Sequence, residues 1–201
     1  MKIADLLVRH EACWLRATRH PFLSAVRDGS LPESAFDTWL MQDYRFVGEL
    51  LRFQARLLGR APRSAQAVLA AGAAALVDEL TWFEQHARTR RIDLTAAPGP
   101  ATQAYGRLLE RLDDAEFPVA LASLWALERA YLEAWSFAAP GAGPYRDFVA
   151  HWTTPEFATY VSALEAAVDD TAAADANFDR LFIEVVEAEV RFWDMAVEGL
   201  S

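Results

Sequence analysis

The segment from residue 118 to residue 138, PVALASLWALERAYLEAWSFA, is strongly apolar but carries an acid, Glu128, near its centre. Residues spaced by three, four and seven positions lie on one face of a helix. This spacing therefore predicts a helix whose core-facing side includes the carboxyl group of Glu128. The other residues on that face are Leu121, Leu124, Trp125, Tyr131, Leu132 and Trp135.

Two further segments repeat the pattern of one acid within an apolar helical stripe. Residues 32–60 place Asp43 among apolar side chains, and residues 175–198 do the same with Glu189. A carboxylate taken out of water costs free energy, so it finds a partner, shifts its pKa or does chemistry. For any one acid, a structural ion pair or hydrogen bond with Arg45, Arg129 or a tyrosine is an equally good interpretation. Three acids on three helices favour a shared polar pocket inside a helical bundle.

Long helical patterns separated by short breaks with Pro and Gly predict an all-α bundle of seven or eight helices. We interpret residues 1–201 as one domain. The alanine-rich stretch 67–80, AVLAAGAAALVDEL, has small side chains that let another helix approach closely. Residues 21–31 are predicted to form a turn. The predicted helices lie at about 2–18, 32–59, 63–90, 118–138, 144–152, 154–168 and 175–198. A further, shorter helix follows a linker at 91–99 and has Tyr105, Leu108, Leu109 and Leu112 on one face.

Bulk composition excludes several classes of protein. A net charge of −10 disfavours nucleic acid and anionic membranes as partners, because both would repel this surface. The apolar runs are too short to span a bilayer, and charged residues near the N-terminus argue against a signal peptide. The single cysteine, Cys13, excludes an internal disulfide and a cysteine-based zinc site. A cytoplasmic location is the resulting prediction.

No metal site is predicted. Di-iron carboxylate bundles use Glu-x-x-His pairs, which place both ligands on one side of a helix. Glu84 and His86 have the wrong offset, and Cys13 is interpreted as a small buried residue rather than a nucleophile. The remaining histidines, none of which has an acid three positions before it, are His10, His20 and His151.

Aromatic residues accompany the three acids and suggest what the pocket binds. Stacked rings supply flat apolar walls, while carboxylates accept hydrogen bonds from ring N–H groups. Such a cavity suits a small, flat heterocycle that bears an amine. Two acids in different surroundings can also divide the general acid and general base roles. The aromatic candidates are Tyr44, Tyr105, Tyr131, Trp152 and Trp193.

Four runs of residues are distinctive in combination: His20-Pro21-Phe22-Leu23, Val26-x-Asp28-Gly29-Ser30-Leu31-Pro32, Phe36-x-x-Trp39-Leu40-x-Gln42-Asp43-Tyr44 and Glu189-x-Arg191-Phe192-Trp193. Together these runs resemble the TenA / thiaminase II family. The resemblance covers essentially the whole chain and implies a haem-oxygenase-like all-α fold with an aminopyrimidine pocket. It also implies an enzyme of thiamin salvage that releases hydroxymethylpyrimidine, needs no metal or organic cofactor, and forms a homotetramer or homodimer.

The chain departs from the better-known branch of that family at one position. That branch has a cysteine nucleophile where this sequence reads Leu127-Glu128-Arg129. The chain therefore resembles the branch in which glutamate replaces the cysteine, called TenA_E. This resemblance implies hydrolysis of aminomethyl- or formylaminomethyl-pyrimidines. Two pocket positions that are usually tyrosine in the cysteine branch correspond to Phe46 and Trp152, while Tyr105 is retained.

The resemblance also implies roles for individual residues. Asp43 would hold the aminopyrimidine ring, Glu189 would protonate the leaving amine, and Glu128 would orient or deprotonate the attacking water. It leaves open whether Glu79, Trp82 and His86 line the pocket or a subunit contact. The predicted substrate-binding residues are Asp43, Tyr44, Phe46, Tyr105, Tyr131 and Trp152.

Two other functions stay open on the sequence. A non-catalytic pyrimidine-binding or regulatory protein would keep the pocket without the chemistry. A metal- or quinone-dependent oxidoreductase could use the same fold, because one fold supports several chemistries.

Overall fold

A computed structural model describes residues 2–171 and 177–198. These residues form ten α-helices and one short 3₁₀ turn, Gly143–Tyr145, with no β-strand in either described range. The predicted all-α class is confirmed. The helices are α1 (Asp5–Arg9), α2 (Glu11–Thr18), α3 (Pro21–Asp28), α4 (Glu33–Gly59), α5 (Arg63–Arg90), α6 (Pro100–Asp113), α7 (Phe117–Ala138), α8 (Arg146–His151), α9 (Pro155–Thr171) and α10 (Asn177–Val197).

The three helices that carry the acids are neighbours in space. α7 packs against α2, α3, α9 and α10, and α10 also packs against α4. α4 contacts α7 directly, so Asp43, Glu128 and Glu189 project from three helices that all contact one another. α7 can occupy the centre because most of its residues are apolar on every side.

α4 and α5 form a long antiparallel pair on one flank of the bundle. Arg90 near the end of α5 contacts Asp37 near the start of α4. At the opposite end, Gln54 of α4 donates a hydrogen bond to the carbonyl oxygen of Leu69 at 3.0 Å. The short connection at residues 60–62 favours this antiparallel arrangement.

The alanine-rich stretch lets other helices approach, as predicted. At Gly72 of α5, the side chains of Gln54 from α4 and Tyr160 from α9 come so close that an added Cβ would overlap both. The absence of a side chain at this position is therefore a packing requirement.

The structure has more helices than the seven or eight expected. The predicted turn at residues 21–31 contains α3: Pro21 occupies its first turn, and the ring of His20 accepts a hydrogen bond from the backbone N–H of Phe22. This helix ends at Gly29, whose φ of 82° is a left-handed conformation that glycine adopts easily. The predicted helix at 2–18 is also divided, because the backbone of His10 leaves the helical region.

The other predicted helix boundaries agree with the structure to within a few residues. The predicted start of the last helix, at 175, lies outside the described residues. Within the described ranges, no helix combines the length and the apolar character that crossing a bilayer requires.

Candidate active site

All three acids singled out by their helical spacing are buried, as predicted. The exposed fractions are 2% for Asp43, 6% for Glu128 and 4% for Glu189. Among the described residues, none of the ion pairs involves any of the three. The alternative of a structural ion pair with a neighbouring arginine is therefore not what the structure shows. Each acid is instead in contact with a tyrosine hydroxyl, which is the other partner that the structural interpretation allowed.

Asp43 lies against Tyr131 of α7, whose hydroxyl group donates a hydrogen bond to Asp43 Oδ2 at 3.0 Å. Burial raises the pKa of Asp43 well above its usual value, and the negative charges of Glu79, Glu189 and Glu128 act in the same direction. The hydrogen bond from Tyr131 opposes this shift without cancelling it. Asp43 therefore holds a proton far more tightly than an exposed aspartate does.

Glu189 is paired with Tyr105 of α6. The Tyr105 hydroxyl group donates to Glu189 Oε1 at 2.5 Å. Burial raises the pKa of Glu189 from 4.5 to about 7, although the hydrogen bond from Tyr105 lowers it. Because Oε1 is occupied as an acceptor, Oε2 is the oxygen that can carry the proton and pass it on.

Glu128 is paired with Tyr160 of α9. The pKa of Glu128 is raised from 4.5 to about 8, mainly by burial and to a smaller extent by the charges of Glu189 and Glu79. A hydrogen bond with Tyr160 acts in the opposite direction. Glu128 and Glu189 are both buried, and their helices α7 and α10 pack against each other.

Gln54 fixes the direction of the Tyr160 hydroxyl group. The side-chain Nε2 of Gln54 donates to the carbonyl oxygen of Leu69 at 3.0 Å and to the Tyr160 oxygen at 3.1 Å. A backbone carbonyl oxygen can only accept a hydrogen bond, so the Gln54 side-chain amide must point its nitrogen towards Leu69. The Tyr160 oxygen is thereby an acceptor from Gln54, and its own proton is available for Glu128. Gly72 makes room for both side chains.

The carboxyl groups influence one another but do not converge on a single point. Asp43 is affected by the charges of Glu79, Glu128 and Glu189. Yet within residues 2–171 and 177–198 no three His, Cys, Asp or Glu side chains are grouped closely enough to hold a metal ion. The arrangement is thus wider than an ion-binding site, as acids that act on different parts of one organic molecule would be.

Aromatic rings pack against the tyrosines that contact Asp43 and Glu189. Phe46 packs against Tyr105 with ring centroids 4.4 Å apart, and Tyr131 meets Trp152 edge-on at 5.9 Å. A compact group of four indole rings, with centroids of adjacent rings 4.4 to 5.8 Å apart, lies beside them. Its members are Trp39, Trp135, Trp152 and Trp193.

Tyr44 is the one predicted substrate-binding residue that the structure places elsewhere. Consecutive helical residues point about 100° apart, so Tyr44 cannot share the direction of Asp43. Its hydroxyl group donates to Glu84 at 3.2 Å. Its ring lines an outer groove of about 490 Å³ between α4 and α6, together with Arg107 and other polar residues. None of the three buried acids lines this groove.

Three residues of the site were not assigned to it from the sequence: Gln54, Glu79 and Tyr160. Gln54 had a usable signal, because it lies four residues after Leu50 and three before Leu57 on the apolar stripe of α4. The resemblance had left the place of Glu79 open, and Tyr160 had no signal, since its contacts join distant parts of the chain.

Cys13 is separate from the acids. It lies on α2 and is partly buried. Burial raises the pKa of its thiol, and the charges that act on it are those of Arg16 and Glu187. A raised pKa keeps the sulfur protonated and poorly nucleophilic.

Sequence comparison assigns the chain to a family. The profile of the TENA/THI-4/PQQC family matches residues 7–199, which is nearly the whole sequence. The chain therefore belongs to the TENA/THI-4/PQQC family, which confirms the resemblance drawn from its motifs.

Individual relatives agree with this assignment. A curated protein of Glycine max named "Probable bifunctional TENA-E protein" is 31% identical over 94% of this chain and 90% of its own length. The crystal structure of a TenA homologue from Pyrococcus furiosus superposes with a TM-score of 0.89 at 29% identity, covering 96% of this chain and 98% of that one. A TenA homologue from P. horikoshii has a TM-score of 0.90 at 22% identity, covering 99% and 100%. The fold is accordingly the haem-oxygenase-like fold of these neighbours.

Proposed function

We propose that the protein is an aminopyrimidine hydrolase of thiamin salvage. It would cleave the exocyclic C–N bond of an aminomethylpyrimidine with water, releasing ammonia and hydroxymethylpyrimidine. For a formylaminomethylpyrimidine the same acids would hydrolyse the formamide bond. Membership of the family and the curated relative named for TENA-E support this class of reaction.

The observation that carries the proposal is the set of three buried carboxyl groups with raised pKa values and no cationic partner among the described residues. Glu189 and Glu128, with pKa values of about 7 and about 8, can exchange a proton near neutral pH. General acids and bases work best when their pKa lies near the operating pH.

Asp43 is proposed to recognise the aminopyrimidine ring. A protonated carboxyl group offers one donor and one acceptor, which matches the ring nitrogen and the adjacent amino group of a 4-aminopyrimidine. Tyr131 holds Asp43 Oδ2 and so fixes the plane of this contact. Phe46, Tyr105 and Trp152 are proposed to supply apolar walls around the ring.

Glu128 and Glu189 are proposed to divide the proton transfers of the reaction. The resemblance gives Glu189 the role of acid and Glu128 the role of water activator. In the free protein, however, the higher pKa belongs to Glu128, so near neutral pH Glu128 holds its proton more fully than Glu189 does. The charge of Glu189 is one of the causes that raise the pKa of Glu128. To activate water, Glu128 must release this proton before the attack.

Turnover of an aminomethylpyrimidine tests the proposal. Purified protein is mixed with the substrate in ¹⁸O-labelled water, and ammonia and hydroxymethylpyrimidine are quantified. We expect both products in equal amounts, with the label in the new hydroxyl group. Glu128→Gln and Glu189→Gln should each lose about 100-fold or more in kcat while still binding hydroxymethylpyrimidine. Asp43→Asn should mainly weaken binding.

Glu110→Gln is the matched control, since it makes the same change at an exposed position of α6. Full activity in Glu128→Gln would refute the role of Glu128. Binding of hydroxymethylpyrimidine without any turnover would favour the non-catalytic pyrimidine-binding alternative. The homotetramer or homodimer and the cytoplasmic location stay predictions; size-exclusion chromatography with light scattering tests the first.

A further inference from the structure

Glu79 of α5 contacts two consecutive residues, His151 and Trp152, with its two carboxylate oxygens. Its Oε1 accepts a hydrogen bond from Trp152 Nε1 at 2.8 Å, and its Oε2 lies 2.7 Å from His151 Nε2. The Glu79 side chain is mostly buried, with 18% exposed. α8 has six residues, and a helix that short has little stability of its own. Glu79 therefore fixes where the C-terminal end of α8 lies.

Trp82 holds the same end of α8 from a position one turn further along α5. Residues three apart lie on the same side of a helix, so Glu79 and Trp82 face α8 together. The Trp82 ring is parallel to the His151 ring with centroids 3.9 Å apart, and it meets Trp152 edge-on at 5.3 Å. The position of Trp152 is thus set by α5 rather than by α8 itself.

Trp152 connects this contact to the buried acids. Its ring is 4% exposed and lies 4.4 Å from the ring of Trp135 and 5.9 Å from that of Tyr131. Tyr131 in turn donates its hydroxyl hydrogen bond to Asp43. A displaced Trp152 would remove the edge-on support of Tyr131 and change how Tyr131 meets Asp43.

We propose that Glu79 is a positioning residue of this site: through the Trp152 indole it keeps the Tyr131–Asp43 contact and the aromatic wall in place for the pyrimidine ring. The inference rests on the proposed hydrolase function. Glu79 acts through Trp152 and not on the reacting atoms, so its loss should affect substrate binding more than the chemical step. It therefore predicts a rise in KM with kcat largely kept.

Two variants of Glu79 separate hydrogen bonding from charge. Glu79→Ala removes the acceptor for Trp152 Nε1 and should raise KM for the aminomethylpyrimidine about tenfold, because a hydrogen bond to a charged group is lost. Glu79→Gln keeps a carbonyl oxygen as acceptor and should stay within about threefold. Since the Glu79 charge also raises the pKa of Asp43 and Glu128, each variant is measured at its own pH optimum.

Asp179→Ala is the matched control. It breaks a carboxylate–histidine contact of the same length, His10 Nε2 to Asp179 Oδ1 at 2.7 Å, away from the acids. We expect its KM to be unchanged. An equal rise in KM for Asp179→Ala and Glu79→Ala would show a general loss of packing and would overturn the positioning role.

A double-mutant cycle tests whether Glu79 acts through Trp152. Trp152→Phe keeps a ring but removes the indole N–H. In that background Glu79→Ala should have little further effect on KM. A full tenfold effect in the Trp152→Phe background would refute the inference.

An NMR measurement without substrate distinguishes failure of this inference from failure of the hydrolase function. The indole N–H signal of Trp152 is assigned by its disappearance in Trp152→Phe. Glu79→Ala should shift this signal, whereas Asp179→Ala should not. If the protein turns over substrate but the Trp152 signal does not shift in Glu79→Ala, only the role of Glu79 is overturned. If the Trp152 signal shifts in Glu79→Ala but the protein shows no turnover, the hydrolase function is overturned. The affinity for hydroxymethylpyrimidine would then replace KM as the measure of the role of Glu79.

Discussion

Replacement of Glu128 by glutamine should remove part of the pH dependence of stability. In the folded protein the pKa of Glu128 is raised from 4.5 to about 8, mainly by burial. In the unfolded chain the group returns to its ordinary value. Between these two values the folded state keeps a proton that the unfolded state has released, so stability falls as the pH rises. This contribution is complete below about pH 4.5 and is lost above about pH 8.

The size of the effect follows from these pKa values. One proton changes the free energy of unfolding by about 1.4 kcal/mol per pH unit in this window. From roughly pH 5 to pH 8 the wild-type protein should therefore lose about 4 kcal/mol through Glu128. Glu189, with a pKa of about 7, adds a smaller loss of the same sign, which the variant retains.

Guanidinium chloride unfolding followed by tryptophan fluorescence measures the effect at several pH values in that range. Between roughly pH 5 and pH 8, the free energy of unfolding of Glu128→Gln should fall by about 4 kcal/mol less than that of the wild-type protein. The reason is that the amide carries no titrating proton. Glu110→Gln, at an exposed position, should follow the wild-type curve. If the free energy of unfolding of Glu128→Gln fell with pH as steeply as that of the wild-type protein, Glu128 would be ionised in the folded state. Its proposed protonation would then be wrong.

Three further predictions concern single residues. Gly72→Ala should destabilise the protein by about 1–3 kcal/mol in thermal unfolding, because the added Cβ would overlap neighbouring side chains. Gly106→Ala on α6 is its control: no atom lies near the added Cβ, so this variant should be neutral or stabilising. Tyr160→Phe removes the hydrogen bond that lowers the pKa of Glu128, so the limb of the pH–rate profile due to Glu128 should move to higher pH; a move to lower pH would contradict the assigned hydrogen bond. Cys13→Ser should keep kcat/KM within about twofold in the turnover assay, and a large loss would revive a thiol mechanism.

Much of the fold could be predicted because the helices carry their own signals. α4 follows Pro32 and α5 follows Pro62, and both keep a helical spacing of apolar residues throughout. α3 was missed for a physical reason: a proline breaks a helix interior but fits well in a first turn, where its missing N–H is not needed. Proline therefore marks both the end of one helix and the beginning of the next, and the sequence alone does not say which.

The candidate site could be predicted only where one helix contained the signal. Asp43, Glu128 and Glu189 interrupt apolar stripes, so their burial followed from spacing alone. The contact of Glu79 with Trp152 joins residues 73 positions apart, and no local pattern indicates it. The pKa values of about 7 and about 8 likewise depend on tertiary burial, which only the packed bundle provides.

A crystal structure with hydroxymethylpyrimidine tests the central proposal most directly. The account predicts the pyrimidine ring inside the bundle, with its amino group and ring nitrogen on Asp43 and its hydroxymethyl group towards Glu128 and Glu189. Binding only in the outer groove beside Tyr44, with the three buried acids untouched, would contradict it.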